Sequence, residues 1–87
     1  MLPDDIKIGH CYKTDNNQHR RVVAIEDGHV RYYSRGGNTN QGWEWGGGTK
    51  ANPAALQTFA DAVVAEIDCP AVAPPPGYDL DGQKTES

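Results

Sequence analysis

Arg20-Arg21-Val22-Val23-Ala24-Ile25-Glu26-Asp27-Gly28-His29-Val30-Arg31-Tyr32-Tyr33 is the stretch that decides the fold. Two β-rich runs flank an Asp-Gly pair, which favours a two-residue type I′ turn whose twist matches the strands it joins. With Asp27 and Gly28 as the turn, Glu26 faces His29, Ile25 faces Val30, Ala24 faces Arg31, Val23 faces Tyr32, Val22 faces Tyr33 and Arg20 faces Arg35. Side chains alternate along a strand, so this register gives Val23, Ile25, Val30 and Tyr32 to the core. Arg20, Val22, Ala24, Arg31, Tyr33 and Arg35 share the other face, which is basic and aromatic. Directly opposed arginines cost something within the roughly 0.2–1 kcal/mol range of cross-strand pairs unless an anion or carboxylate lies between them. The register therefore predicts a partner on that face.

Upstream, Ile6-Lys7-Ile8-Gly9-His10-Cys11-Tyr12-Lys13-Thr14 alternates and reads as a first strand with Ile6, Ile8, His10 and Tyr12 on one side. Asp15-Asn16-Asn17-Gln18 is a polar turn, so the first three strands form a meander. Downstream, residues 36–42 have no apolar period and read as a loop, and Trp43-Glu44-Trp45 alternates as a short strand with both indoles on one side. Gly46-Gly47-Gly48 breaks that strand. Asn52-Pro53 supplies an N-cap and a proline at the first helical position. Leu56, Phe59, Ala60, Val63 and Ile67 recur at three and four, which predicts an amphipathic helix over 53–68, stopped before Pro70.

Residues 70–87, opening Pro70-Ala71-Val72-Ala73-Pro74-Pro75-Pro76-Gly77, read as a Pro-rich, acidic, disordered tail without core contacts. The domain proper is then 1–69. Its small core draws on Ile6, Ile8, Tyr12, Val23, Ile25, Val30, Tyr32, Leu56, Phe59, Val63 and Ile67, with Trp43 or Trp45 as a lid. A domain of this size buries only about 60% of its unfolded surface, so self-association as a homodimer fits it.

The net charge of −4 divides unevenly. Residues 1–52 hold seven basic and six acidic side chains, and the remainder holds Lys84 against six acidic ones, giving +1 and −5. A protein that binds nucleic acid mainly by neutralising phosphates carries a basic excess, which is missing here. The first residues lack the basic and apolar regions of an export signal, and no run is long enough for a membrane span. A cytoplasmic protein with no membrane partner is the expectation, and with it two reduced cysteines, Cys11 and Cys69.

Gly46-Gly47-Gly48-Thr49-Lys50 resembles a phosphate cradle only superficially, because Lys follows Thr and no βαβ unit surrounds it. His10, Cys11, His19, His29 and Cys69 lack metal-ligand spacing, since His10 and Cys11 point to opposite faces. Neither a metal nor a cofactor is expected. No Ser/His/Asp or Cys/His set can be assembled by spacing, which gives no catalytic residues and argues against an enzyme.

The Gly9-x-x-Tyr12 start, the Arg21-Val22-Val23-x-Ile25 strand, the tight turn, Val30-x-Tyr32 and the later Trp resemble the small SH3-like or Tudor-like barrels found among bacterial and phage proteins. The resemblance spans roughly residues 6–67. It implies a mainly β protein, a small SH3-like antiparallel barrel with one C-terminal α-helix, used for binding. Type II dihydrofolate reductases are similar small barrels, but their Val-Gln-Ile-Tyr segment is absent. The expected function is non-enzymatic binding through Arg20, Arg31, Tyr33, Arg35, Trp43 and Trp45. A protein partner comes first, including the case of a phage or mobile-element product that inhibits a bacterial defence complex, since Trp, Tyr and Arg anchor interfaces. A nucleic acid or nucleotide comes second.

Overall fold

The computed structural model describes residues 1–37, 42–45 and 54–85. The Gly46-to-Lys50 cradle, the Asn52-Pro53 helix start and most of the glycine loop lie outside the described residues. A 3-10 turn, Pro3–Asp5, leads to β1 (Cys11–Thr14), β2 (Gln18–Glu26), β3 (His29–Gly36), β4 (Glu44–Trp45), β5 (Ala54–Ala55), α1 (Leu56–Ala62) and β6 (Val63–Ile67). The strands form one antiparallel sheet in the order β4-β3-β2-β1-β6, with β5 also pairing to β3. Among the described residues no pairing joins β4 to β6, so the sheet is open.

The hairpin forms at the Asp-Gly pair, with φ of 51° at Asp27 and 73° at Gly28, both positive as a type I′ turn requires. Glu26, Ile25 and Ala24 pair with His29, Val30 and Arg31. The register then shifts between Val22 and Ala24, leaving Val23 as an extra residue. Beyond this β-bulge, Val22 pairs with Tyr32, Arg21 with Tyr33, Arg20 with Ser34 and His19 with Arg35. One inserted residue exchanges the faces of everything that follows it. The expected opposition of Arg20 and Arg35 is therefore corrected, and so is the grouping of Arg20 with Arg31, Tyr33 and Arg35.

Because of the bulge the sheet buries side chains on both faces. On the helix face Ile6, Tyr12, Val22, Val30, Tyr32, Phe59, Ala60 and Val63 form one core, with Ile25, Ala54 and Leu56 at its margin. Phe59 is its centre. Its ring meets Tyr32 and Tyr12 edge-on, at centroid distances of 4.8 and 6.1 Å. Removing such a ring costs about 3–5 kcal/mol. The Tyr12 hydroxyl donates to the Asp5 carbonyl and accepts from the Lys7 N–H, both at 2.9 Å, tying the N-terminal segment to β1. On the opposite face Cys11, Val23, Tyr33 and Trp43 form a second core, bordered by Trp45, Ile67, Val72 and Tyr78.

Three further expectations are corrected. The first strand begins at Cys11 rather than Ile6: Gly9 turns the chain at φ 83°, and Ile8 is left 59% exposed. The helix begins at Leu56 rather than Pro53, because Ala54 and Ala55 pair with β3, and it ends at Ala62, where residues 63–67 pair instead with β1, Ile67 opposite Cys11 and Ala65 opposite Lys13. Val63, Val64 and Ile67 are β-branched and stiff, so they suit a strand, and β1 offers an edge that a longer helix would leave unpaired. That pairing also delivers Cys69 to Cys11, and the two form a disulfide with a Cα–Cα distance of 5.1 Å in place of the expected free thiols.

The segment from Pro70 onward makes core contacts, against the expectation of none. It runs over the second core, where Trp43 N–H donates to the Ala73 carbonyl at 2.7 Å and the Tyr33 hydroxyl to the Asp79 carbonyl at 2.8 Å. Arg21 Nε donates to the Leu80 carbonyl at 3.0 Å. At Gly82, with φ of 84°, a Cβ would stand 2.9 Å from Val23 Cβ, so only glycine lets the strap lie this close to the bulge.

Candidate functional site

Register orders the strap-side face into two rows. In one, Cys11, Arg21, Tyr33 and Trp45 follow one another across β1 to β4. In the next, Ala65, Lys13, His19 and Arg35 follow one another from β6 to β3. The first row is covered by the strap: Tyr33 is fully buried, and its ring packs edge-on against Trp45 at 4.8 Å, which in turn meets Tyr78 at 5.2 Å. Burial, and then the Asp79 carboxylate, push the Tyr33 hydroxyl up to about 12.

Of the six side chains predicted to engage a partner, five lie toward the strap side of the sheet: Arg31, Tyr33, Arg35, Trp43 and Trp45. Arg20 lies on the other. Its guanidinium sits 4.9 Å from the Tyr32 ring centroid and 5.6 Å from that of Phe59, while Nε donates to Gln18 Oε1 at 2.7 Å. Those contacts make it a cover for the helix-side core. Tyr33, expected to be an exposed aromatic, is core, and so is Trp43, only 1% exposed. Trp45 keeps a partly exposed edge. Among the described residues neither indole Nε1 of Trp43 nor that of Trp45 has a hydrogen-bond acceptor.

Two concavities flank these residues. An open, mainly apolar groove of about 340 Å³ runs between Gly42, Trp43 and Glu44 on one wall and Ala73, Pro74 and Pro76 on the other. It exists because Gly42 brings the two backbones together; a Cβ there would stand 2.8 Å from the Ala73 oxygen. A smaller, polar hollow of about 130 Å³ lies at the hairpin turn among Glu26, Asp27, His29 and Arg31. There the His29 Nδ1 is 2.9 Å from the Asp27 carbonyl oxygen, which fits Nδ1 as donor and leaves Nε2 as an acceptor.

Sequence reasoning missed the cross-strand pairing of Lys13 with His19, a residue it weighed only as a metal ligand, and the groove-forming prolines. The symmetric spacing of Lys13 and His19 about Asn16, with the left-handed Asn17 at φ 66°, was the available signal for the first pair. Nothing in the sequence marked Ala73, Pro74 and Pro76 as the wall of a groove, because proline-rich composition reads as unfolded. Among the described residues no group of three or more His, Cys, Asp and Glu is placed to hold a metal, and no helix is long and apolar enough to cross a membrane.

No protein-family model, curated protein or solved structure matches this chain.

Proposed function

We propose that this chain is a non-enzymatic binding protein, an opened version of the SH3-like scaffold, that holds a protein partner at the groove between residues 42–44 and 73–76. The observation that carries the reading is the groove itself: open, about 340 Å³, walled by a tryptophan and two prolines, with Glu44 as its charged member. A shallow apolar channel with one polar group suits a side chain from an extended polypeptide. Trp45 supplies a half-buried aromatic beside it, of the residue type that most often anchors an interface. Arg31 and Arg35 belong to the same side of the sheet and serve as polar rim.

The test is site-specific cross-linking. A photo-reactive residue at position 44 or 76 is expected to trap one polypeptide from nuclease-treated lysate, and the same residue at position 57 on α1 is not. Reconstitution with that purified polypeptide should give saturable binding, weakened at least tenfold by Glu44→Lys while the thermal transition is unchanged. Equal trapping from positions 57 and 76, or capture that disappears with nuclease, would overturn the reading.

A further inference from the structure

We propose that the Cys11–Cys69 disulfide is a redox latch that holds one wall of the groove against the sheet, an inference that rests on the groove reading and adds its regulation. The bond stands at a junction. Cys11 belongs to β1 and to the second core, and Cys69 lies between the end of β6 at Ile67 and the first strap residue, Pro70. From there Val72 packs at the border of the second core, and Ala73, Pro74 and Pro76 form the wall. Val63 is anchored in the helix-side core, so β6 beyond it and the strap make one continuous C-terminal unit, residues 64–85. Among the described residues β6 has one neighbour in the sheet, β1, and the disulfide staples the exit of this edge strand to it. Edge strands and chain ends open locally more readily than the centre of a sheet, and a cross-link at the exit suppresses that opening.

The two ends of the bond differ in access: Cys69 is exposed and Cys11 is fully buried. A dithiol reductant therefore meets Cys69 first. Its thiolate attacks Cys69 Sγ, the S–S bond breaks, and Cys11 leaves with the electron pair and takes up a proton. The second thiolate of the reductant then attacks its own sulfur in the mixed disulfide, closing a cyclic disulfide and releasing Cys69, which takes up the second proton. The protein gains two electrons and two protons, and the dithiol loses them. The reduced chain accommodates both thiols. Cys11 stays in the second core as a small apolar group, and Cys69 Sγ lies 3.6 Å from the Gly9 carbonyl oxygen, which can then accept from its S–H. Reduction thus leaves the hairpin and the helix-side core in place and frees the exit of β6, so that the strap is held only by its own contacts, among them the bonds from Trp43, Tyr33 and Arg21.

The probe is reduced and oxidised dithiothreitol at graded ratios, added to the full chain while amide hydrogen exchange is followed by NMR. The Trp43 N–H, bonded to the Ala73 carbonyl at 2.7 Å, reports the wall. The Val22 N–H, bonded to the His10 carbonyl at 3.0 Å, and the Leu56 N–H, bonded to the Gly28 carbonyl at 2.8 Å, report the rest of the fold. The ratio of the Trp43 exchange rate to the other two should rise about tenfold or more on reduction and fall back on reoxidation, because the wall then opens without the hairpin. Cys69→Ala without reductant should show the raised ratio, which assigns the effect to the bond and not to the reagent. Binding of the polypeptide trapped at position 44 or 76 should weaken about tenfold on reduction, since the wall is no longer pre-organised. A raised ratio with no polypeptide trapped refutes the partner and keeps the latch; trapping with an unchanged ratio keeps the partner and refutes the latch. Equal affinity for that polypeptide in both redox states would also overturn the latch.

Discussion

The Tyr33 hydroxyl donates to the Asp79 carbonyl at 2.8 Å across 46 residues of chain. The bond joins the middle of the central hairpin to a segment whose composition reads as unfolded, and it shows what the strap is for: it roofs the second core that the bulge creates. Tyr33→Phe keeps the ring packing and removes only this bond, at about 1 kcal/mol, or about 4–8 °C in melting temperature for a domain of this size. Deleting residues 71–87 should cost more, because Val23, Tyr33 and Trp43 lose their cover. A truncated protein melting within a degree of the full chain would mean that the strap does not dock.

Arg20 and Arg31 test the bulge. Arg20 lies over Tyr32 and Phe59, so Arg20→Ala gives up cation–π contact and packing, about 0.5–1 kcal/mol. Arg31 pairs with Ala24 before the register shift and lies at the polar hollow of the hairpin turn, so Arg31→Ala should change stability by less than about 0.5 kcal/mol. Denaturant midpoints at equal slope separate the two. Equal effects would fit the unbulged register, in which both arginines share one solvated face.

The parts of the fold legible in the sequence were those fixed by local chemistry. Asp27-Gly28 dictates its own turn, and the first three pairs of the hairpin follow from it. The bulge was not legible, because Val22 and Val23 are identical in type and either can serve either face. The helix was legible from Leu56 to Ala62 but not at its start, where Ala54 and Ala55 pair with β3 instead of opening a helix at Pro53. Past Ala62, the spacing Phe59, Val63, Ile67 also satisfies a helical stripe, and only the open edge of β1 decides for a strand. Tertiary demand likewise overrode composition in the strap, where Val72 and Tyr78 are anchors spaced too far apart to show a period. The candidate site was half legible: the aromatic and arginine types were right, but which of them meet depends on the bulge and the strap.

The Cys11–Cys69 disulfide closes a separation of 58 residues. Cross-linking a loop of that length restricts the unfolded chain by about 4 kcal/mol in the chain-entropy model, which corresponds to roughly 15–30 °C in melting temperature. Cys69→Ser should lose that amount, and so should the native chain under a reducing dithiol. Such bonds persist in oxidising compartments, so the protein made in an oxidising compartment should carry no titratable thiol. Two free thiols in that material, with unchanged stability on reduction, would mean that the bond does not form.

The pH profile follows from two groups of opposite sign. Tyr33 is raised to about 12 in the folded chain from an ordinary 10.0, chiefly by burial and then by Asp79. The neutral phenol is the form the fold favours, so its contribution is intact below about pH 10 and is lost as pH rises through the folded value. Over two units this amounts to about 2–3 kcal/mol. Tyr12 is raised too, burial again leading, and acts in the same direction. His19 is lowered, so the fold favours neutral imidazole; its contribution is intact above the unfolded value near 6.5 and is lost as pH falls through the folded one. Stability should therefore form a plateau between these limits. Urea midpoints against pH check it, with Tyr33→Phe as the comparison that cancels the lysines: the variant begins lower at neutral pH, the gap closes above about pH 10, and the order then reverses because the native chain loses more than the hydrogen bond contributed. A gap that stays constant through the alkaline limb would mean that Tyr33 titrates normally and that its hydroxyl is not held beneath the strap.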